Sequence, residues 1–189
     1  MLPRVDLSTV SSYTVNKDVI LTGTPNNNLT IGYSGGDREV TLDNVNPSGS
    51  KDVRIETTNN VKVKLKGTSR LTRILVNSSG KNLTIDKAAD DGTLILQIGG
   101  YDSPLDVFGT VYIKGGTVKA RCTGTYYAVY SNLNITGGAV YLAGGGWERA
   151  VQGSVTGTLY GWNGSWGNYS SQQYATTDNT SGNPSSWTW

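Results

Sequence analysis

The 189-residue chain has no histidine, a single cysteine, a single phenylalanine and only three glutamates, Glu39, Glu56 and Glu148. Without histidine, the commonest general base and the commonest metal ligand are both missing. One cysteine supports neither a disulfide framework nor a cysteine-based zinc site. Val118, Ala120 and Cys122 alternate with Lys119 and Arg121, which puts the thiol on the apolar face of a strand as a buried, inert small hydrophobe. A glycosidase needs two carboxylates facing each other across a cleft. Nothing in the spacing of the glutamates, or of Asp102 and Asp106, pairs them. No catalytic residue is therefore assigned, and the expectation is that the chain is not an enzyme. No stretch of 18 apolar residues occurs, so no helical membrane span is expected. Met1-Leu2-Pro3-Arg4 lacks the apolar core of a secretory signal, so an exported protein starting here would have lost its leader. A formal net charge of +2 is too small to point to nucleic acid.

What the chain does have is strand-forming and turn-forming residues. The 25 glycines exceed the usual share and accompany abundant Val, Ile, Thr and Tyr, a balance that favours short strands joined by tight turns. A triplet of apolar, polar and apolar residues keeps returning, as in Leu29-Thr30-Ile31, Val40-Thr41-Leu42, Val53-Arg54-Ile55, Leu83-Thr84-Ile85, Val111-Tyr112-Ile113, Leu133-Asn134-Ile135 and Val140-Tyr141-Leu142. The first and third residues of each point inward and the middle one outward. Gly115-Gly116-Thr117-Val118 recurs 22 residues later as Gly137-Gly138-Ala139-Val140, Ile113 recurs as Ile135, and Val107, Val129 and Val151 keep the same step. A fixed period made of strands and turns marks a solenoid whose coils stack on one another. A sandwich or barrel has no reason to hold such a register. The spacing predicts an all-β, right-handed parallel β-helix of about 22 residues per coil, with a capping first coil, over residues 1–160. Residues 161–189 form a separate C-terminal section rich in Trp, Tyr, Gly and Ser, with Asp178 as its only charge. Val107, Val129 and Val151 are expected in one interior column.

The runs Val40-Thr41-Leu42-Asp43-Asn44-Val45, Val61 to Thr68, Asn82-Leu83-Thr84-Ile85, Gly92-Thr93-Leu94 and Ile113 to Val118 resemble bacterial β-helix proteins described as carbohydrate-binding domain-containing. The likeness covers about residues 15 to 145. It implies a secreted or surface-attached β-helix, similar in shape to pectate lyases, that holds polysaccharide without cleaving it. Related β-helices occur in adhesins and phage tails. Some members of the resembled family hold structural calcium on acidic loops, and Asp86, Asp90 and Asp91 form the acid-rich loop here. No other cofactor is implied.

Two groups of residues are candidates for binding. Residues 51–73 hold Lys51, Arg54, Lys62, Lys64, Lys66, Arg70 and Arg73 against Asp52 and Glu56. These cations are either the ordinary solvent face of strands, where they discourage edge pairing, or one stripe for acidic glycans. Aromatic rings are the second group, because sugar rings stack on Trp and Tyr at low entropic cost. Trp147, after Gly144-Gly145-Gly146, and Tyr126 with Tyr127, one period earlier, are read as a stacked rim. Trp162, Trp166, Trp187 and Trp189 either extend that surface or cap the last coil. An ice-binding ladder of outward threonines is excluded, since the outward positions run Thr30, Thr41, Arg54, Lys62, Thr84, Tyr112, Asn134, Tyr141. The functional expectation is a non-catalytic extracellular module that binds polysaccharide or cell-surface glycan. The alternatives are a surface adhesin or phage-tail-like β-helix with a protein partner, or a lyase acting on acidic glycans.

Overall fold

The computed structural model describes residues 1–145 and 150–162, and for Trp162 the backbone alone. The chain is an all-β parallel solenoid of about seven turns, repeating about every 22 residues. Three parallel faces run along it. Sheet I contains Arg4–Asp6, Val19–Gly23, Arg38–Val45, Val61–Lys66 and Leu83–Lys87, and continues through the ends of Leu105–Ile113 and Val129–Ile135 to Val155–Thr156. Sheet II contains Thr68–Leu71, Thr93–Ile98, Thr117–Cys122, Ala139–Ala143 and Tyr160–Trp162. Sheet III contains Ser12–Val15, Leu29–Tyr33, Val53–Thr57 and Arg73–Val76, followed by the starts of Leu105–Ile113 and Val129–Ile135. Sheets I and III join because those two long strands run round a corner without a break.

Alternation sends like residues into like columns. Val19, Val40, Val63, Ile85, Ile113 and Ile135 follow one another in register, none more than 8% exposed. Sheet III lines its side of the core with Ile31, Ile55, Ile74, Leu105, Val129 and Val151. Each such side chain contributes roughly 1.5–3 kcal/mol by leaving water, and no single coil could shield its own inner face. Cys122 follows Ile98 in a column of sheet II and is buried.

The valine column is corrected at one position. Val129 pairs with Val151 as the 22-residue step requires, but Val129's other partner is Leu105, and Val107 pairs with Val76. The register shifts between Asp106 and Thr110, where Phe108 and Gly109 lengthen the coil and Phe108 is pushed out to 55% exposure. In the first coil, Arg4–Asp6 already pairs in parallel with Ile20, Leu21 and Thr22.

Polar ladders hold the corners. Between sheets III and I, Asn60 Oδ1 accepts from Asn82 N–H at 2.8 Å and Asn82 Oδ1 accepts from Thr110 N–H at 2.8 Å. Asp37 and Asn132 do the same for Asn60 and Ser154. These side chains satisfy backbone donors that leave the sheets at the bend. Between sheets I and II the chain turns through positive φ at Gly116 and Gly138, where a Cβ on Gly138 would overlap the carbonyl oxygen of Gly116. Asn44 fills the same corner with φ 57°, a conformation asparagine tolerates.

Two substitutions test this register. Asn82→Leu strands the Thr110 N–H, at a cost of about 1–3 kcal/mol, and is expected to lower the melting temperature by roughly 2–4 °C per kcal/mol. Ile113→Asp places an unpaired charge between Ile85 and Ile135 and is expected to abolish soluble expression. Wild-type melting of both proteins would refute the column assignment.

Candidate functional site

The outward positions divide the cations of residues 51–73 among three faces, so they do not form one stripe. Lys62, Lys64 and Lys66 lie on sheet I, Arg54 and Arg73 on sheet III, and Arg70 on sheet II. On sheet I, Lys64 Nζ meets Glu39 at 3.2 Å, while Lys66 Nζ at 3.3 Å and Arg4 at 2.7 Å share Asp43. On sheet III, Arg54 pairs with Asp52 and with Glu56. Lys64 and Lys66 are therefore neutralised by carboxylates of the preceding coil. Burial would raise the Asp43 carboxyl, but hydrogen bonds and charge from Arg4 and Lys66 outweigh it and hold the group below its ordinary value.

The turn between sheets II and III gathers the aromatic residues. Residues 99–104 and 123–128 are successive loops there, with Gly124 against Gly100 and Gly145 against Gly124 in glycine contacts too close for a Cβ. Thr125 N–H donates to Gly100 O and Gly145 N–H to Tyr126 O. Tyr126 and Tyr127 meet edge to face with centroids 5.0 Å apart. Tyr130, which the sequence did not single out, completes the group, stacked on Tyr126 at 5.6 Å and 5.9 Å from Tyr127. Its position was legible, because Val129 and Ser131 are buried and alternation turns Tyr130 outward. Tyr101, on the preceding loop, is 82% exposed.

A charged group stands beside the rings. Asp106 is the register partner of Tyr130, and Arg73 binds both Asp106 and, at 3.2 Å, Asp102 of the loop that carries Tyr101. The Arg73 and Asp106 side chains are only 13% and 14% exposed, so the guanidinium ties loop 99–104 to sheet III from a largely desolvated position. The corner thus offers ring surface flanked by a carboxylate, a guanidinium and phenol hydroxyls, groups suited to a hydroxyl-rich ligand.

The remaining candidates fall elsewhere. Trp162 ends the last strand of sheet II, its backbone paired with Ala143. Trp147, Trp166, Trp187, Trp189 and Glu148 lie outside the described residues. The acid-rich loop does not converge as calcium ligands: Asp91 pairs with Lys87 at 3.1 Å, Asp86 accepts from Lys87 N–H, and no group of three or more potential ligands comes together among the described residues. No helix among the described residues is long and apolar enough to cross a membrane.

The fold and corner define a parallel β-solenoid with an aromatic, ion-paired turn. Comparison of the chain with protein-family models, with curated proteins and with solved structures finds no match in any of the three.

Two expectations follow from these contacts. Asp43 titrates lower in the folded chain than in the unfolded one, so it adds stability above the unfolded carboxyl pKa of about 3.9 that is lost as pH falls through the folded value. Asp43→Asn is expected to flatten the stability–pH curve below about pH 4, measured by denaturant melts between pH 2 and 6; an unchanged slope would contradict it. Arg73→Met leaves Asp102 and Asp106 without their cation, which costs about 3 kcal/mol, whereas Arg70→Met, at an exposed site, is expected to stay within about 0.5 kcal/mol of wild type. Near-ultraviolet circular dichroism should report disturbed tyrosines in the first variant only, and equal melting of the two would refute the role given to Arg73.

Proposed function

We propose that the chain is a non-catalytic, extracellular or cell-surface polysaccharide-binding solenoid, with neutral glycan held at the turn between sheets II and III by Tyr126, Tyr127 and Tyr130. The observation that carries this reading is the three-ring group beside Asp106 and Arg73. Trp147 joins it on sequence spacing alone. Stacking on aromatic rings supplies about 1 kcal/mol per ring, so micromolar to millimolar affinity fits such a corner and several copies would be needed for avidity. The absence of histidine and the burial of Cys122 support the non-catalytic part. The resemblance of the strand motifs to those of carbohydrate-binding β-helices supports the ligand class. A second reading, an adhesin with a protein partner, draws on Tyr101 and Phe108, large rings 82% and 55% exposed on one coil.

Retention on a panel of immobilised neutral polysaccharides tests the proposal. Wild type is expected to be retained with little change between low and high salt, since stacking is not screened. Tyr127→Ala is expected to weaken retention roughly fivefold, the equivalent of about 1 kcal/mol. No release of reducing ends or unsaturated uronides is expected. Retention unaffected by Tyr127→Ala and Tyr126→Ala refutes the corner; no retention at all moves the reading to the adhesin.

A further inference from the structure

Loops 99–104 and 123–128 are successive rungs of one turn, yet they present their rings differently. Tyr126, Tyr127 and Tyr130 pack on one another and are half-buried. Tyr101 is 82% exposed and makes no ring contact among the described residues. The loop that carries it is nonetheless tied down on both sides of the ring. Gly100 turns the chain through φ 78° and its carbonyl oxygen accepts from Thr125 N–H at 3.0 Å. Ser103 and Pro104 are buried, and Arg73 holds Asp102 at 3.2 Å. With Gly124 lying against Gly100, Tyr101 leaves the backbone about one rung, roughly 4.8 Å, below Thr125 and the loop of the three rings. An open ring on an anchored loop loses little freedom when a ligand covers it. Asp102 stands beside that ring with its side chain 53% exposed; Arg73 takes one carboxylate oxygen, and the other has no partner among the described residues. Asp102 is the only charged residue of the two loops, and the Arg73 side chain is only 13% exposed, so the charge this turn shows to a ligand is negative. Phe108, the other exposed ring of the coil, lies at the bend between sheets III and I, across sheet III from Tyr101. The two rings do not form one patch.

We propose that Tyr101 and Asp102 form a second sugar subsite, one rung from the three-tyrosine group, and that the two together select an extended, uncharged, equatorially linked glycan lying along the solenoid axis. The inference rests on the reading of the corner as a glycan site and adds to it the class of chain. The Tyr101 ring takes the apolar face of one pyranose, and the free oxygen of Asp102 accepts from a hydroxyl of the same sugar, a charge-assisted hydrogen bond. A β-1,4-linked chain of pyranoses is a flat ribbon whose advance per sugar is close to the rise of one coil, so neighbouring sugars meet neighbouring rungs. An α-1,4-linked chain coils away from a straight axis and loses that match. A uronate at this position would face the Asp102 carboxylate, and like charges in apposition disfavour the wrong ligand.

The test titrates the full chain by NMR at low salt with methyl β-glucoside, cellohexaose, maltohexaose and a cellohexaose oxidised at C6 to carry carboxylates. Wild type is expected to bind cellohexaose roughly fivefold more tightly than the glucoside, the contribution of one further stacked ring, and more tightly than maltohexaose or the oxidised chain. Tyr101→Ala is expected to remove that gain while leaving the glucoside affinity and the melting temperature unchanged, because the exposed ring supports no packing. Asp102→Asn is expected to narrow the gap between cellohexaose and its oxidised form. Tyr127→Ala is expected to weaken the glucoside and cellohexaose alike. A Tyr101→Ala protein that keeps the full gain with chain length overturns the subsite and leaves the three-ring corner standing. Maltohexaose or the oxidised chain bound as tightly as cellohexaose overturns the class of chain, as does failure of cellohexaose to bind a protein that is retained on another neutral polysaccharide. Wild-type binding of both cello-sugars by Tyr127→Ala, or no retention on any glycan, overturns the corner reading itself and the subsite with it.

Discussion

Among the described residues, each strand of this solenoid hydrogen-bonds only to strands of the adjacent coils and never to its neighbour in sequence. Whatever residue stands at a given phase must therefore tolerate its counterparts 22 or so positions away lying directly above and below. An aliphatic residue gains from such a neighbour, which is why Val63, Ile85 and Ile113 can follow one another. An asparagine gains too when its carboxamide oxygen takes the backbone N–H of the next coil, as Asn60 does for Asn82. A charge gains only if the next coil supplies the opposite sign, as Glu39 and Asp43 do for Lys64 and Lys66. The corners depend on the same stacking, since Gly138 sits where any Cβ would overlap the coil beneath it.

The sequence was legible wherever a signal is local or strictly periodic. Triplets such as Leu83-Thr84-Ile85 declare a half-buried strand by themselves, and the Gly115-Gly116 and Gly137-Gly138 pairs declare a repeated corner. Val107 was misplaced because a fixed step cannot register the extra length at Phe108 and Gly109, which shifts the coil by two residues between Asp106 and Thr110. The lysines of residues 62–66 were read as one outward face, which they are. Their neutralisation by Glu39 and Asp43 was missed, because it is visible only when two coils are laid side by side. For the same reason the sequence left open whether the cations of residues 51–73 form one stripe, and the register divides them among three faces. Neighbours in sequence turn to different faces within a few residues, and the register partner of Arg70 is Ile95, one coil on.

Stacking also changes what an aromatic column offers. Rings one rung apart lie close to the separation at which they pack on each other, as Tyr141 and Tyr160 do, and Tyr126 and Tyr130, four residues apart in one coil, stack as well. Their facing surfaces are spent on one another, so a run of such rings presents edges and hydroxyls outward rather than a floor of open faces. Tyr127 breaks this pattern by turning 71° to Tyr126. The corner is for this reason a different kind of surface from the ladder of sheet II: one mixes ring orientations beside an ion pair, the other aligns them behind cations.

Because coils touch only their neighbours, the stability of a solenoid is close to a sum of repeat and interface terms. Outward residues contribute little to those terms unless, like Arg73, they are pulled in to hold a loop. The three faces are then free to differ chemically while sharing one core. Sheet I spends its charges on one another, and the turn between sheets II and III combines rings with the desolvated Arg73–Asp106 pair. Sheet II holds Arg70, Lys119 and Arg121 without a carboxylate among them. A substitution on one face therefore changes what that face presents while the shared core and the other two faces keep their contacts.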